Sequence, residues 1–200
     1  MNILPVQKLR LWYSVQDERY KLFFLYAVKV VFFYFLFETI IAAYVGLVTP
    51  GGSMQSSFLM NLNFLDSMAM TIVWGAYYLL SGLQFDVFIH GNVIGVVGTG
   101  GVGVGYYCIG YYVWMTIAVL VGCFPGNWKT KIIFIGTSII LIHFVNIIRI
   151  SALAILAQYD VDLESHHIIY NFVIYMFTVL LFLIYVERFS DMKKFSGARF

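Results

Sequence analysis

The apolar runs of this chain are spaced on the scale of a membrane rather than of one helix face or one strand face. Stretches of about 18 or more apolar residues are long enough to cross a bilayer. Five are predicted: Leu22 to Val48, Leu65 to Leu83, Cys108 to Phe124, Ile132 to Leu156 and Ile168 to Val186. Polar breaks separate them, among them "TPGG", "PGNWKTK" and the acidic "AQYDVDLESHH". One stretch fits neither class. "QFDVFIHGNVIGVVGTGGVGVGYY" is apolar but broken throughout by glycine, and each interior glycine costs a helix about 0.5–1 kcal/mol relative to alanine. Irregular backbone at membrane depth survives only where protein or a wet cavity covers it. Residues 86–107 are therefore expected to form an irregular or re-entrant segment lining a cavity just before Cys108.

Charge sets the expected orientation, because lysine and arginine favour the cytoplasmic side. Lys8, Arg10, Arg19 and Lys21 put the N-terminus inside, and Arg188, Lys193, Lys194 and Arg199 put the C-terminus inside as well. Five crossings cannot satisfy both ends. Six can, if the Gly/Val segment also traverses or re-enters; Lys129 and Lys131 then lie inside, and the stretches 49–63 and 157–167, free of lysine and arginine, lie outside. The expected fold is an all-α polytopic membrane protein of about five to six transmembrane helices. One transmembrane domain takes in residues 1–200: a cytoplasmic, amphipathic and basic N-terminus over 1–20, a helical membrane core over 21–187 and a polar cytoplasmic tail over 188–200. The N-terminal stretch is too long and too charged for a signal peptide, and no small-x-small cleavage site follows it, so the first span is read as retained.

Composition narrows the function classes. Hydrophobic residues make up 62% of the chain and charged residues 11%, against about 25% charged in a soluble domain. A net charge of +2, gathered near the termini, does not point to nucleic acid. Two cysteines without a C-x-x-C pair indicate neither a disulfide framework nor a zinc site, so no metal and no cofactor are expected.

Under this topology three reactive residue types reach one membrane level. Cys108 begins the third span at the outer face. Arg149 lies 17 residues beyond Ile132, about 26 Å up a helix, and His166 and His167 begin the fifth span. A cysteine nucleophile needs a base or a cationic neighbour, which a histidine supplies, and an arginine stabilises charge developing on a carbonyl oxygen. The set suits acyl transfer through a thioester. Asn146, three residues before Arg149, is placed to brace it by hydrogen bonding or to pack elsewhere.

These residues resemble the exosortase/archaeosortase family, polytopic membrane cysteine transpeptidases with a Cys…Arg…His (or Arg) set. The matching pieces are Cys108 in "VGVGYYCIG", Arg149 in "NIIRI" and His167 in "HIIYNFVIY". Asn171 and Tyr175 stand where the family's H-x-x-x-G-x-x-x-F pattern has Gly and Phe, and that spacing favours His167 over His166. Ile109 stands where a small residue often follows the cysteine. The resemblance, over about residues 85–187, implies a protease/transpeptidase that cuts the C-terminal sorting signals of exported, membrane-anchored proteins near the outer face of a bacterial inner membrane. Cys108 would attack the scissile carbonyl, His167 would manage protons, and Arg149 would hold the oxyanion or the substrate carboxamide. The acyl group would then pass to an amine acceptor or to water.

Other readings compete. Arg149 can snorkel to outer headgroups or pair with Glu38 or Asp66. Cys123, at the far end of the third span, and His143 read as packing residues, and His90 falls on the cytoplasmic side. "GTGGVG" satisfies G-x-G-x-x-G, but it lacks the acidic residue about 20 positions on that a dinucleotide site needs. A non-enzymatic, small-molecule-binding subunit of a transporter is the main alternative function, and a structural subunit of a membrane complex is the third.

Overall fold

The computed structural model describes the backbone of residues 5–49, 63–159 and 163–190, and the side chains of 20–21, 23–49, 63–159 and 172–190. The fold is mostly helical: α1 (Pro5–Val48), α2 (Phe64–Gly82), α3 (Tyr111–Cys123), α4 (Trp128–Leu156) and α5 (Leu163–Ile184), the last running into a π-helical turn, Tyr185–Phe189. Among the described residues, three segments are long and apolar enough to cross a membrane, Phe23–Val48, Trp128–Tyr159 and Phe172–Phe189. The apolar α3 is shorter, with 13 residues, a rise of about 20 Å.

Contacts along the helices give their relative directions. Tyr26 on α1 donates to the Leu120 carbonyl of α3 at 3.2 Å, while Ile41 and Tyr44 share a groove with Tyr111, so α1 and α3 are antiparallel. Lys131 Nζ caps the Gly122 carbonyl at 2.9 Å, and Trp114 lies 6.0 Å from His143 between ring centroids; α3 and α4 form an antiparallel hairpin. The Phe134–Tyr185 and Phe134–Phe189 ring pairs, at 5.1 and 5.5 Å, anchor α5 back along α4.

Helix α2 breaks the alternation. Thr71 Oγ1 meets His143 Nε2 at 3.1 Å, and a Cβ on Gly75 would stand 2.6 Å from the side chain of Ile147. Four residues forward on α2 is thus four residues forward on α4, and the two run in the same sense. Its start stacks on the end of α1, with Tyr44 and Phe64 rings 5.3 Å apart. Helix α2 therefore continues past the end of α1 instead of returning alongside it.

The Gly/Val segment is neither irregular nor a membrane helix. Val87–His90 (β1), Val93–Val96 (β2) and Val102–Gly103 (β3) form a three-stranded antiparallel sheet in the order β1-β2-β3. Gly91 and Asn92 make the two-residue hairpin turn, with Gly91 at φ +60°, a geometry that Gly-Asn turns supply readily. The ladder satisfies the backbone groups that glycine's poor helix propensity would otherwise leave exposed. Ile94, Val96 and Val104 of this meander are buried, and Ile94 and Val104 join a core with Ile72, Leu80, Ile150 and Leu153. The sheet thus caps the far ends of α2 and α4. His90, expected on the cytoplasmic side, sits at this capped end, exposed at the last position of β1. A second core, with Val113, Ile117, Ile142, Ile174 and Tyr185, joins α3, α4 and α5 below it.

Gly95 shows how tightly the cap is drawn. A Cβ there would stand 2.6 Å from the Gly101 Cα and 2.8 Å from the Phe88 ring, and the backbone neighbour cannot swing away. Gly95→Ala should destabilise the fold by about 1–3 kcal/mol through overpacking, seen as a lower Tm of the detergent-solubilised protein. An unchanged Tm would mean that the meander does not hold this register.

Candidate functional site

Cys108 lies before helix α3 rather than within it. The sequence Tyr106–Ile109 forms a 3-10 turn, Gly110 takes a left-handed conformation at φ +83°, and α3 begins at Tyr111. The bend needs a residue free of Cβ crowding. A Cβ at Gly110 would also lie 3.7 Å from Asn146 Nδ2. Cys108 is a half-buried free thiol, and its amide donates to the Gly105 carbonyl at 2.9 Å.

Two polar attachments hold this turn from opposite sides. On the α2 side, the Tyr106 hydroxyl donates to Asp66 Oδ1 at 2.8 Å, and Asn63 Nδ2 donates to Asp66 Oδ2 and to the Tyr106 oxygen at 3.0 and 2.9 Å. Asn63 Oδ1 meanwhile caps α2 by accepting from the Leu65 amide. Burial, and next the bond to the Asp66 carboxylate, push the Tyr106 phenol above its ordinary pKa, so it stays a donor. On the α4 side, Asn146 Nδ2 donates to the Cys108 carbonyl. Asp66 thus accepts from both Tyr106 and Asn63. Asn146 holds the cysteine turn, where it had been expected to brace the arginine or to pack.

Arg149 faces the protein interior. The buried positions of α4 are Ser138, Ile142, Asn146, Arg149, Ile150, Ser151, Leu153 and Ala154, and the 138, 142, 146, 149, 153 series is one stripe at helical spacing. Arg149 is 5% exposed and Asn146 1% exposed. A snorkelling arginine would show its head to solvent, and this one does not. It follows Asn146 by one turn on the stripe whose Asn146 bonds the Cys108 carbonyl.

His166 and His167 belong to the first two turns of α5; their side chains lie outside the described residues. Counted from the Phe134–Tyr185 ring pair, Arg149 is about 22 Å up α4 and His167 about 27 Å up the antiparallel α5. The two backbone positions differ by about one turn in level. His143 sits lower on α4, bonded through Nε2 to Thr71. Cys123 is at the other end of α3, on the same helix that ends beside Lys131, far from Cys108. Among the described residues, no three His, Cys, Asp or Glu side chains gather as a metal site.

Sequence reasoning missed the Tyr106–Asp66–Asn63 attachment, because its members are 40 and 43 residues apart. It also missed the link from Asn146 to the cysteine, although the residue itself had been singled out.

The site thus belongs to a helical membrane protein in which a buried polar stripe carries Arg149 and, one turn earlier, the asparagine bonded to the Cys108 carbonyl. The family model described as transmembrane exosortase (Exosortase_EpsH) matches residues 23–184, more than half of the chain, and the chain belongs to that family. No curated protein and no solved structure matches it.

Removing the Asn146 donor leaves the Cys108 carbonyl unsatisfied, at a cost of about 1–3 kcal/mol. Asn146→Ala should lower Tm by that equivalent, and so should Asn146→Asp, whose ionised carboxylate only accepts. If both variants melt like the wild type, the bond does not hold the turn.

Proposed function

We propose that the protein is a membrane cysteine protease/transpeptidase that cleaves membrane-anchored proteins next to their C-terminal sorting helix. The observation that carries this reading is the attachment of the Cys108 turn to the α4 stripe one turn from Arg149, in a chain of the exosortase family. The Cys108 thiolate attacks the scissile carbonyl carbon. Arg149 holds the oxygen as it becomes negative, in an interior where such a charge interaction is strong. The C–N bond breaks, and His167 delivers to the departing amine the proton it took from the Cys108 thiol, leaving a thioester on Cys108. An acceptor amine, or water, then attacks the thioester, giving up a proton to His167, and the thiolate is released. No metal or cofactor takes part in these steps.

An apolar groove of about 300 Å³ supports a membrane-anchored substrate. It is lined by Phe37, Ile41, Tyr44, Tyr111 and Trp114 among others, and it opens within two turns of Cys108. An apolar helix entering from the bilayer fits that lining.

The topology that accompanies this function has four crossings, by α1, α3, α4 and α5, with both termini in the cytoplasm of a bacterial inner membrane. Helix α2, parallel to α4, adds no crossing, and the meander lies at the outer end. The even number demanded by the charges is met by subtracting α2 rather than by adding the Gly/Val segment. Gln84, exposed just after α2, separates the two topologies. In a Cys108→Ala, Cys123→Ala background, Gln84→Cys should react with a membrane-impermeant maleimide added outside intact cells. A six-segment topology puts that position inside and leaves it unlabelled.

The catalytic assignment is tested with a co-expressed substrate carrying a C-terminal sorting helix. Cys108→Ala should slow processing by roughly a thousandfold or more. Arg149→Ala should cost about 10²–10³-fold, as the loss of an oxyanion-stabilising group does, and His167→Ala should also abolish efficient processing. Cys123→Ala and His166→Ala should process normally. Normal processing by Cys108→Ala would remove the nucleophile and the mechanism with it.

A further inference from the structure

Among the described residues, strand β3 is an edge strand, bonded to β2 and to no other strand. The Val104 amide donates to the Asn92 carbonyl at 2.8 Å, and Asn92 Nδ2 donates back to the Val104 carbonyl at 3.2 Å. Val104 thus turns its polar groups toward β2. In an antiparallel ladder, residues alternate between pairs that exchange hydrogen bonds and pairs whose N–H and C=O point away. Gly103, opposite Val93, is of the second kind, and its amide and carbonyl face the free side of the sheet.

That side is open. Gly103 and Gly105 are exposed, and a Cβ at Gly100, Gly103 or Gly105 would meet no atom within 4 Å. A second backbone can come close there without meeting a side chain. At one end the strip leads, within five residues, into the turn that carries Cys108. At the other it opens on a cavity of about 580 Å³ between Val97–Gly100 and Ala157–Gln158.

We propose that the free edge of β3 is the substrate-docking strip, on which the polypeptide to be cleaved lies as an added, extended strand that delivers its scissile bond to Cys108. This rests on the function proposed above and specifies how that substrate is held. Strand addition reads the main chain of the incoming segment and takes specificity from its alternate side chains. The occupant is the extended stretch between the exported domain and the membrane helix of the substrate. The cavity beyond Gly100 leaves room for the residues that precede it.

The test is Gly103→Pro in the full chain in membranes, beside Gly103→Ala. Proline deletes the outward amide alone, the one position in an edge strand where it is tolerated, and the extended residue before it suits proline. Gly103→Ala keeps the amide and places its methyl in open space. Proline should lower kcat/KM by about tenfold, the loss of a backbone hydrogen bond to substrate, and alanine, which keeps the amide, should lose clearly less. Alkylation of Cys108 by a small thiol reagent should be unchanged in both. Wild-type processing by Gly103→Pro overturns the proposal, and so does a parallel fall in processing and alkylation, which would place the effect in the cysteine turn itself.

A second measurement does not depend on turnover. In a Cys108→Ala, Cys123→Ala background, and with copper–phenanthroline added as oxidant, Gly103→Cys should form a disulfide with a substrate bearing one cysteine just upstream of its cleavage site. No cross-link, or a cross-link only between two copies of this chain, overturns the docking strip. Normal processing by Cys108→Ala would instead sink the enzyme reading, and the cross-link is read independently of it.

Discussion

A guanidinium buried in an apolar bundle is the constraint around which this fold is arranged. At mid-helix in a bilayer an arginine costs about 2.5–3.5 kcal/mol on insertion scales, and the cost falls only where the group faces polar protein or water. Arg149 meets that requirement on the one stripe of α4 that also carries Ser138 and Asn146. The stripe must be covered by other elements, which makes α4 the helix against which α2, α3, α5 and the meander all pack. The apolar residues exposed on α1, such as Phe23, Phe24, Phe32 and Phe35, mark the opposite situation, a helix whose faces suit lipid.

The cap follows from the same scarcity of backbone partners at the membrane. A glycine-rich chain cannot remain open where water is scarce, and a ladder of strands is the economical way to satisfy it. The meander closes over the ends of α2 and α4, and its last strand passes directly into the cysteine turn. Polar bonds to Asp66 on one side and from Asn146 on the other then fix that turn between the two parallel helices.

Helix positions were legible because apolar runs at membrane length leave little ambiguity: Leu22 to Val48 and Ile132 to Leu156 both lie within observed helices. The sense of α2 was not, since Leu65 to Leu83 has the length of a crossing and nothing local says that it runs parallel to α4. That fact lies in pairs such as Thr71 and His143. The meander was legible in principle. Two four-residue runs flank Gly91-Asn92, a two-residue hairpin signal, but the glycines around them read first as helix breakers. At the site, residue types and levels single out Cys108 and Arg149 as candidates from the sequence, and the structure adds that Arg149 is buried and the Cys108 turn is bonded to α4. The bonds of Asn63, Asp66 and Asn146 depend on tertiary contacts that no spacing encodes.

The short α3 places the Cys108 thiol at a depth that, on the proposed function, calls for an unusual approach by a substrate. Thirteen residues rise about 20 Å, less than the roughly 30 Å of a hydrocarbon core, so a turn at the top of α3 sits below the outer boundary when the base of α3 is at the inner one. Helices α2 and α4 continue past it and wall it in. A folded domain on the outer side cannot reach such a thiol. A chain that descends in extended form to a membrane helix can, because its last residues before the helix already lie at that depth. On the proposed reading, the recess selects against exported proteins in general and in favour of those tethered by an apolar segment. The geometry that shelters Arg149 from lipid would then also set which peptide bond is within reach.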